Sequence, residues 1–165
     1  MSGEKHIILL LEDDYATLKN MGDFLERKNY EVIRCSRIDQ AKERFEDDVN
    51  DADIPRRIDC IVTDLNMRDE WLEKHQSESA NMTLSGWVWL YRFVYPLIPK
   101  MPTVIYSKFV DDLVERIINT TDFNEREAFK QGNIKCLSKG NSLDTGRMGL
   151  IKSIEEVLKG ARREK

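Results

Sequence analysis

Five short apolar segments alternate with segments of helical period along this chain, and that alternation limits the possible folds more than any other feature. Between the segments, apolar residues recur every three or four positions, as Leu18, Met21 and Leu25 do. Strands that alternate with helices predict a parallel sheet with helices on both faces, because right-handed crossovers must return over the sheet. The apolar segments are residues 6–11, 30–35, 58–63, 103–106 and 134–137.

Chemically reactive side chains stand where four of the predicted strands end. Glu12 and Asp13 follow the first strand, and Asp64 follows the third. Ser107 directly follows the fourth strand, and Lys139 stands two residues after the fifth. The carboxyl ends of parallel strands border the crevice in which such sheets bind ligands. Crowded carboxylates need a cation between them, and Mg²⁺ prefers oxygen ligands, so the sequence predicts a magnesium site there.

The length of the chain limits the number of domains, and its net charge limits the kinds of partner. A chain of 165 residues is long enough for one core and short for two, so residues 1–165 are predicted to form a single domain. The net charge of −4 argues against nucleic acid and anionic membranes as partners. No apolar stretch is long enough to span a membrane and no signal peptide is evident, so we expect a cytoplasmic protein.

The order of the polar residues resembles the receiver domain of two-component response regulators. An acidic pair after strand one, an aspartate after strand three, a hydroxyl after strand four and a lysine after strand five characterise that family. The resemblance extends over nearly the whole chain, and it is greatest to stand-alone, chemotaxis-regulator-like receivers. It implies a flavodoxin-like, doubly wound α/β fold whose five parallel strands have the order 2-1-3-4-5.

The resemblance also implies roles for individual residues. Asp64 would accept a phosphoryl group from a histidine kinase or a phosphotransfer protein. The metal Mg²⁺ would be held by Glu12, Asp13, Asp64 and the backbone carbonyl of Asn66. Two further residues would act on the phosphoryl oxygens, Lys139 by neutralising their charge and Ser107 by donating a hydrogen bond.

The same resemblance bears on partners and activity. No output domain follows the last predicted helix, so we expect a stand-alone receiver that signals to a downstream protein target. The resemblance also allows a homodimer. Apart from catalysing its own phosphorylation and dephosphorylation, such a domain is not an enzyme.

Two departures from the family pattern concern the residues around the predicted site. The position after the strand-four hydroxyl is usually small, but Lys108 and Phe109 follow Ser107 here. Bulk at this place predicts slow self-dephosphorylation. The aromatic residue often found three positions before the lysine is replaced by Cys136, so coupling to the output surface is expected to run through Tyr106 instead.

Two insertions relative to the family are predicted, at about 68–85 and at about 119–127. The first is adjacent to the predicted site, so it is either a lid or kinase-docking element or a simple loop. The second lengthens the region of the fourth helix. The third predicted helix, 87–95, is apolar nearly all round, and we expect Trp71 and Met82 of the first insertion to cover it; a protein-binding patch is the alternative.

Two other functions are compatible with parts of the pattern. One is a receiver-like binding module that is never phosphorylated, for which Lys108 gives some support. The other is a Mg²⁺-dependent phosphatase. Phosphatases of the haloacid-dehalogenase type need a second aspartate two residues after the nucleophile, and Asn66 stands at that position.

Overall fold

A five-stranded parallel sheet forms the centre of the computed structural model, which describes residues 5–51, 57–67, 84–139 and 143–163. The strand order is β2-β1-β3-β4-β5, and every neighbouring pair is parallel. The predicted doubly wound sheet, with its order 2-1-3-4-5, is therefore confirmed. The strands are β1 (Ile7–Leu11), β2 (Glu31–Cys35), β3 (Cys60–Thr63), β4 (Thr103–Ser107) and β5 (Ile134–Ser138).

Helices cover both faces of this sheet. None of the described helices is both long enough and apolar enough to cross a bilayer. Within the described ranges the helices are α1 (Tyr15–Arg27), α2 (Ile38–Asn50), α3 (Ser85–Trp89) with a π-helical turn (Leu90–Val94), α4 (Val110–Asn119), α5 (Phe123–Gln131) and α6 (Leu143–Arg163).

The sheet separates two hydrophobic cores. Successive side chains of β1 point to opposite faces, so Leu9 and Leu11 join one core while Ile8 and Leu10 join the other. Helices α2, α3 and α4 cover the first core, and α1 and α6 cover the second. All five residues of β1 are buried, as expected for a central strand of a parallel sheet with helices on both faces.

The region around 119–127 contains the end of one helix and the start of another. Helix α4 ends at Asn119, and α5 is a separate helix that begins at Phe123. Asp122 caps α5, because its carboxylate accepts the backbone N–H groups of Asn124 at 2.9 Å and Glu125 at 3.2 Å. Residues 119–127 therefore include the end of α4, a break capped by Asp122 and the first residues of α5.

Helix α3 is buried, as its apolar sequence requires. Trp87 and Trp89 are both fully buried. Part of the cover comes from α5, whose Phe129 ring meets the Trp87 ring edge-on at a centroid distance of 5.6 Å. Trp71 and Met82, which were predicted to cover this helix, lie outside the described residues, as does the first insertion up to residue 83.

Candidate functional site

The register of β1 and β3 brings two carboxylates together at one edge of the sheet. Leu11 pairs with Thr63 at the carboxyl ends of these strands, and the Asp64 N–H donates to the Leu11 carbonyl at 3.1 Å. The next residues, Glu12 and Asp64, are therefore neighbours. Their side chains are largely buried, with exposed fractions of 5% and 12%.

A lysine that follows the edge strand β5 reaches both carboxylates. Ser107 and Ser138 are paired at the ends of β4 and β5, which places Lys139 at the same edge. The Lys139 Nζ atom donates to Glu12 Oε2 at 3.0 Å and to Asp64 Oδ2 at 2.7 Å. Three residues that are far apart in the sequence thus form one ion-pair cluster.

Burial and charge act in opposite directions on the protonation of this cluster. Burial raises the pKa of Glu12 to about 7, with Lys139 opposing the rise and the charge of Asp64 adding to it. Burial also disfavours the charged form of Asp64, but Lys139 outweighs it and holds the pKa of Asp64 below its usual value. The Lys139 ammonium is likewise penalised by burial, yet the two carboxylates raise its pKa. Asp64 is therefore ionised at neutral pH.

The other predicted site residues lie around this cluster. Asp13 and Asn66 line the same open cavity as Glu12, Asp64 and Lys139. The backbone N–H of Asn66 donates to Asp64 Oδ1 at 3.3 Å, so the loop after β3 helps to orient that carboxylate. The structure therefore brings these five residues to one cavity.

Ser107 differs from the others because it is fully buried. Its hydroxyl accepts the backbone N–H of Phe109 at 3.1 Å. Burial, the strongest effect, raises the pKa of Asp64, whereas Lys139 lowers it and the Ser107 hydroxyl lowers it further, to a smaller extent than Lys139. Ser107 thus links the carboxylate to the first turn of α4, which begins at Val110.

The residues around the cluster include oxygen donors of the kind a divalent cation binds. Among the described residues, no three carboxylate, imidazole or thiol side chains converge as a ready-made metal cage. The Lys139 ammonium bridges Glu12 and Asp64 in this arrangement. The residue types nevertheless suit Mg²⁺, because three carboxylate residues, Glu12, Asp13 and Asp64, line one cavity together with Asn66, and Mg²⁺ prefers oxygen ligands.

A clamp on the Asp64 loop was not predicted from the sequence. The hydroxyl of Ser85 accepts the Met67 N–H at 2.9 Å and is 3.1 Å from the Leu65 carbonyl, to which it donates. The Gly86 N–H donates to the same carbonyl at 2.9 Å. The first turn of α3 therefore holds the loop that carries Asp64. A serine followed by a glycine is not a sequence pattern from which this role could be predicted.

Replacing Gly86 by alanine should destabilise the protein and displace the Asp64 loop. A Cβ atom at position 86 would lie 2.1 Å from the Asp64 carbonyl oxygen, a backbone atom that cannot rotate away. We expect a loss of about 1–3 kcal/mol in the free energy of unfolding, measured by urea denaturation. The matched control is Gly149→Ala in α6, where the nearest contact is a Leu137 side chain at 3.4 Å. It should be neutral or stabilising by up to about 1 kcal/mol; equal effects of the two substitutions would contradict the clamp.

The cavity rim carries the residues that depart from the family pattern. Lys108 and Phe109 both line the cavity, Lys108 exposed and Phe109 half-buried. Tyr106 also lines it, with its ring centroid 5.6 Å from the Lys139 Nζ atom. Tyr106 is thus in cation–π contact with the lysine that binds Asp64. The predicted coupling through Tyr106 stays a prediction.

Comparison with known proteins identifies the fold. No protein-family model matches the chain, and no curated protein matches it. Solved structures do match. A response regulator receiver domain protein from Clostridium thermocellum aligns at 20% identity with a TM-score of 0.67, covering 97% of this chain and 99% of that one.

Two further structures give the same result. A CheY-like receiver domain protein from Methanospirillum hungatei aligns at 15% identity with a TM-score of 0.63, covering 98% of this chain and 99% of that one. The phosphorylated cyanobacterial phytochrome response regulator RcpA aligns at 19% identity with a TM-score of 0.62, covering 95% and 96% of the two chains. The chain therefore has the response regulator receiver fold.

Proposed function

We propose that this protein is a phosphoacceptor signalling domain that is phosphorylated on Asp64. The observation that carries the proposal is the Lys139 ammonium between Glu12 and Asp64, at 3.0 Å and 2.7 Å. This arrangement keeps one aspartate ionised, partly accessible and next to a fixed cation. Phosphoryl transfer needs little more from a protein than positioning and charge neutralisation.

The transfer step follows from these residues. An Asp64 carboxylate oxygen attacks the phosphorus of a phosphohistidine, forming a P–O bond as the P–N bond breaks. The histidine nitrogen keeps the bonding electron pair, and Asp64 becomes an acyl phosphate. Lys139 neutralises a phosphoryl oxygen, and the Ser107 hydroxyl donates a hydrogen bond to another.

Mg²⁺ is the proposed cofactor. Glu12, Asp13, Asp64 and the backbone carbonyl of Asn66 would hold it. When bound, it supplies further neutralisation of the phosphoryl charge. The burial of Glu12, which raises the pKa of that carboxyl, also makes a cation partner favourable there.

The proposed partners follow from the fold and the site. A histidine kinase or phosphotransfer protein donates the phosphoryl group, and a downstream protein target reads the phosphorylated form. Among proteins of the same fold, RcpA is described as phosphorylated. We therefore propose a domain that belongs to a two-component system and catalyses only its own phosphorylation and dephosphorylation.

Incubation with acetyl phosphate tests this function. With Mg²⁺ present, the protein should gain the mass of one phosphoryl group, in an acid-stable and base-labile form, and chelation of the metal with EDTA should prevent the gain. Continuous release of inorganic phosphate, with no stable adduct, would instead indicate a phosphatase. Neither adduct nor turnover would indicate a binding module that is not phosphorylated.

Phe109 should slow the loss of the phosphoryl group. Its ring lines the cavity beside Ser107 and limits the space for a hydrolytic water. In Phe109→Asn, we expect hydrolysis to be faster by about 3- to 10-fold, less than the roughly 100-fold or more that a positioned general base contributes, because the substitution opens space for water without adding a base. The measurement is the decay of the phosphorylated species after removal of the donor. Phe123→Asn, at an exposed position of α5, is the control; a half-life in Phe109→Asn no shorter than in this control would refute the role.

A further inference from the structure

A group of three side chains, of which Trp87 and Glu125 are buried and Arg116 is 22% exposed, joins α3, α4 and α5. The Glu125 side chain is only 2% exposed, and its Oε2 atom accepts hydrogen bonds from two donors. Trp87 Nε1 of α3 donates at 3.0 Å, and Arg116 Nε of α4 donates at 2.8 Å. We call Trp87, Glu125 and Arg116 the buried triad.

A buried ionic group of this kind needs an explanation beyond stability. Removing charges from water is costly, and well-packed apolar residues would often be equally stable at such a place. Further contacts fix the positions of Glu125 and Trp87. Asp122 caps α5 by accepting the Glu125 N–H at 3.2 Å, and Trp87 also meets the Tyr91 and Phe129 rings, with centroid distances of 5.5 Å and 5.6 Å.

The triad is one residue away from the loop that carries Asp64. Trp87 directly follows Gly86, whose backbone packs against the Asp64 carbonyl and whose N–H donates to Leu65 at 2.9 Å. Because Ser85 and Gly86 hold that loop, a shift of the loop moves the first turn of α3. Trp87 is fully buried and cannot absorb such a shift by rotating into solvent.

Helix α4 is attached to the site at its start and to the buried triad toward its end. At its start, the Phe109 N–H donates to the Ser107 hydroxyl at 3.1 Å. Toward its end, Arg116 is held by Glu125. The outer face of α4 exposes Val114 and Ile118, at 40% and 71%, so a movement of this helix changes an accessible apolar surface.

We infer that the buried triad transmits the state of the Asp64 loop to α4, with Glu125 as a positioning residue. The inference rests on the proposed phosphorylation of Asp64 and adds a second connection to α4, independent of Ser107. It predicts that Glu125 affects the response to phosphorylation more than the phosphorylation itself. Glu125 is contributed by the additional helix α5, which gives that helix a function.

Hydrogen exchange in α4 tests the inference. The full chain is compared with and without Mg²⁺ and beryllofluoride, which imitates the phosphoryl group. In the wild type, exchange in α4 should change by about 3-fold or more. In Glu125→Gln, which removes the charge but keeps the shape, that change should fall to less than half, while beryllofluoride binding persists.

Three further variants separate coupling from a merely structural role. Glu115→Gln makes the same chemical change at an exposed position of α4, and it should respond like the wild type. Val157→Ala lowers stability from the core on the other side of the sheet and should also keep the response. Trp87→Phe removes the Nε1–H donor of the triad together with part of the buried indole ring, a packing loss for which Val157→Ala is the control. It should weaken the response, which keeps the test available if Glu125→Gln does not fold.

The outcomes are distinct. A full α4 response in Glu125→Gln, or in Trp87→Phe if Glu125→Gln does not fold, overturns the inference and leaves the proposed function intact. The inference is also overturned if beryllofluoride binds the wild type without any change in α4. If the wild type takes up neither beryllofluoride nor a phosphoryl group, the proposed function itself fails.

Discussion

Asp64→Asn should abolish the incorporation of a phosphoryl group from acetyl phosphate, a decrease of more than about 100-fold. A carboxamide is a far weaker nucleophile than the ionised carboxylate that Lys139 maintains at 2.7 Å. The substitution also removes one of the negative charges next to Glu12, so Mg²⁺ affinity should decrease with it. Phosphoryl incorporation is measured by intact-protein mass spectrometry after a fixed time of incubation with Mg²⁺.

The control for this variant is Asp47→Asn. Asp47 is exposed on α2 and does not line the cavity, so its substitution should leave phosphorylation at the wild-type rate. Both variants should fold. The N–H groups of Leu65 and Asn66 donate to Asp64 Oδ1, and in Asp64→Asn they can donate to the amide oxygen at the same place. Undiminished phosphorylation of a folded Asp64→Asn protein would rule out Asp64 as the acceptor.

Lys139→Met should reduce both stability and phosphorylation. Methionine approximates the length of the lysine side chain but leaves Glu12 and Asp64 without the ammonium that both contact. We expect a loss of about 2–4 kcal/mol in the free energy of unfolding in EDTA, because removing the lysine leaves buried carboxylates without their ion-pair partner. Added Mg²⁺ should restore part of it, since a ligand that binds only the folded state stabilises that state. Phosphorylation should fall by more than about 100-fold.

The stability of this variant should depend on pH in a defined direction. Burial already raises the pKa of Glu12 to about 7, and losing Lys139 removes an opposing effect, so the pKa rises further. A carboxyl whose folded-state pKa exceeds its unfolded value is destabilising at high pH, and this cost declines as pH falls through the folded pKa. The deficit measured by urea denaturation should therefore shrink from about pH 8 to about pH 6.

Lys135→Met is the matched control for Lys139. Lys135 pairs with Glu156 at 3.2 Å, but the two side chains are 52% and 41% exposed. Exposed pairs contribute little, so we expect a change below about 1 kcal/mol with no dependence on Mg²⁺. Equal stability losses in the two variants, or normal phosphorylation of Lys139→Met, would contradict the role of Lys139.

The sheet could be predicted from sequence because its signal is local and repeated. Each strand is a short apolar run, and the crossover rule then leaves few topologies. The convergence of Glu12, Asp64 and Lys139 followed from the same rule, since residues that follow parallel strands meet at one edge. The Lys139 contacts with both carboxylates are the detail that only the structure supplies.

The buried triad and the loop clamp could not be predicted in the same way. The triad joins Trp87, Arg116 and Glu125, and its shortest link separates residues nine positions apart on different helices. A glutamate in the first turn of a helix usually faces solvent, so its sequence position argued against burial. Trp71 and Met82, which were expected to cover the apolar third helix, lie outside the described residues, and the contact of Phe129 of α5 with Trp87 was not predicted.

The most direct test of phosphorylation on Asp64 is to locate the phosphoryl group in the sequence. Borohydride reduces an aspartyl phosphate to homoserine, and peptide sequencing then identifies the modified position. After incubation with acetyl phosphate and Mg²⁺, we predict homoserine at position 64 and none when the metal is chelated. Homoserine at another aspartate, or a phosphoryl group that borohydride does not remove, would contradict the assignment of Asp64 as the phosphoacceptor.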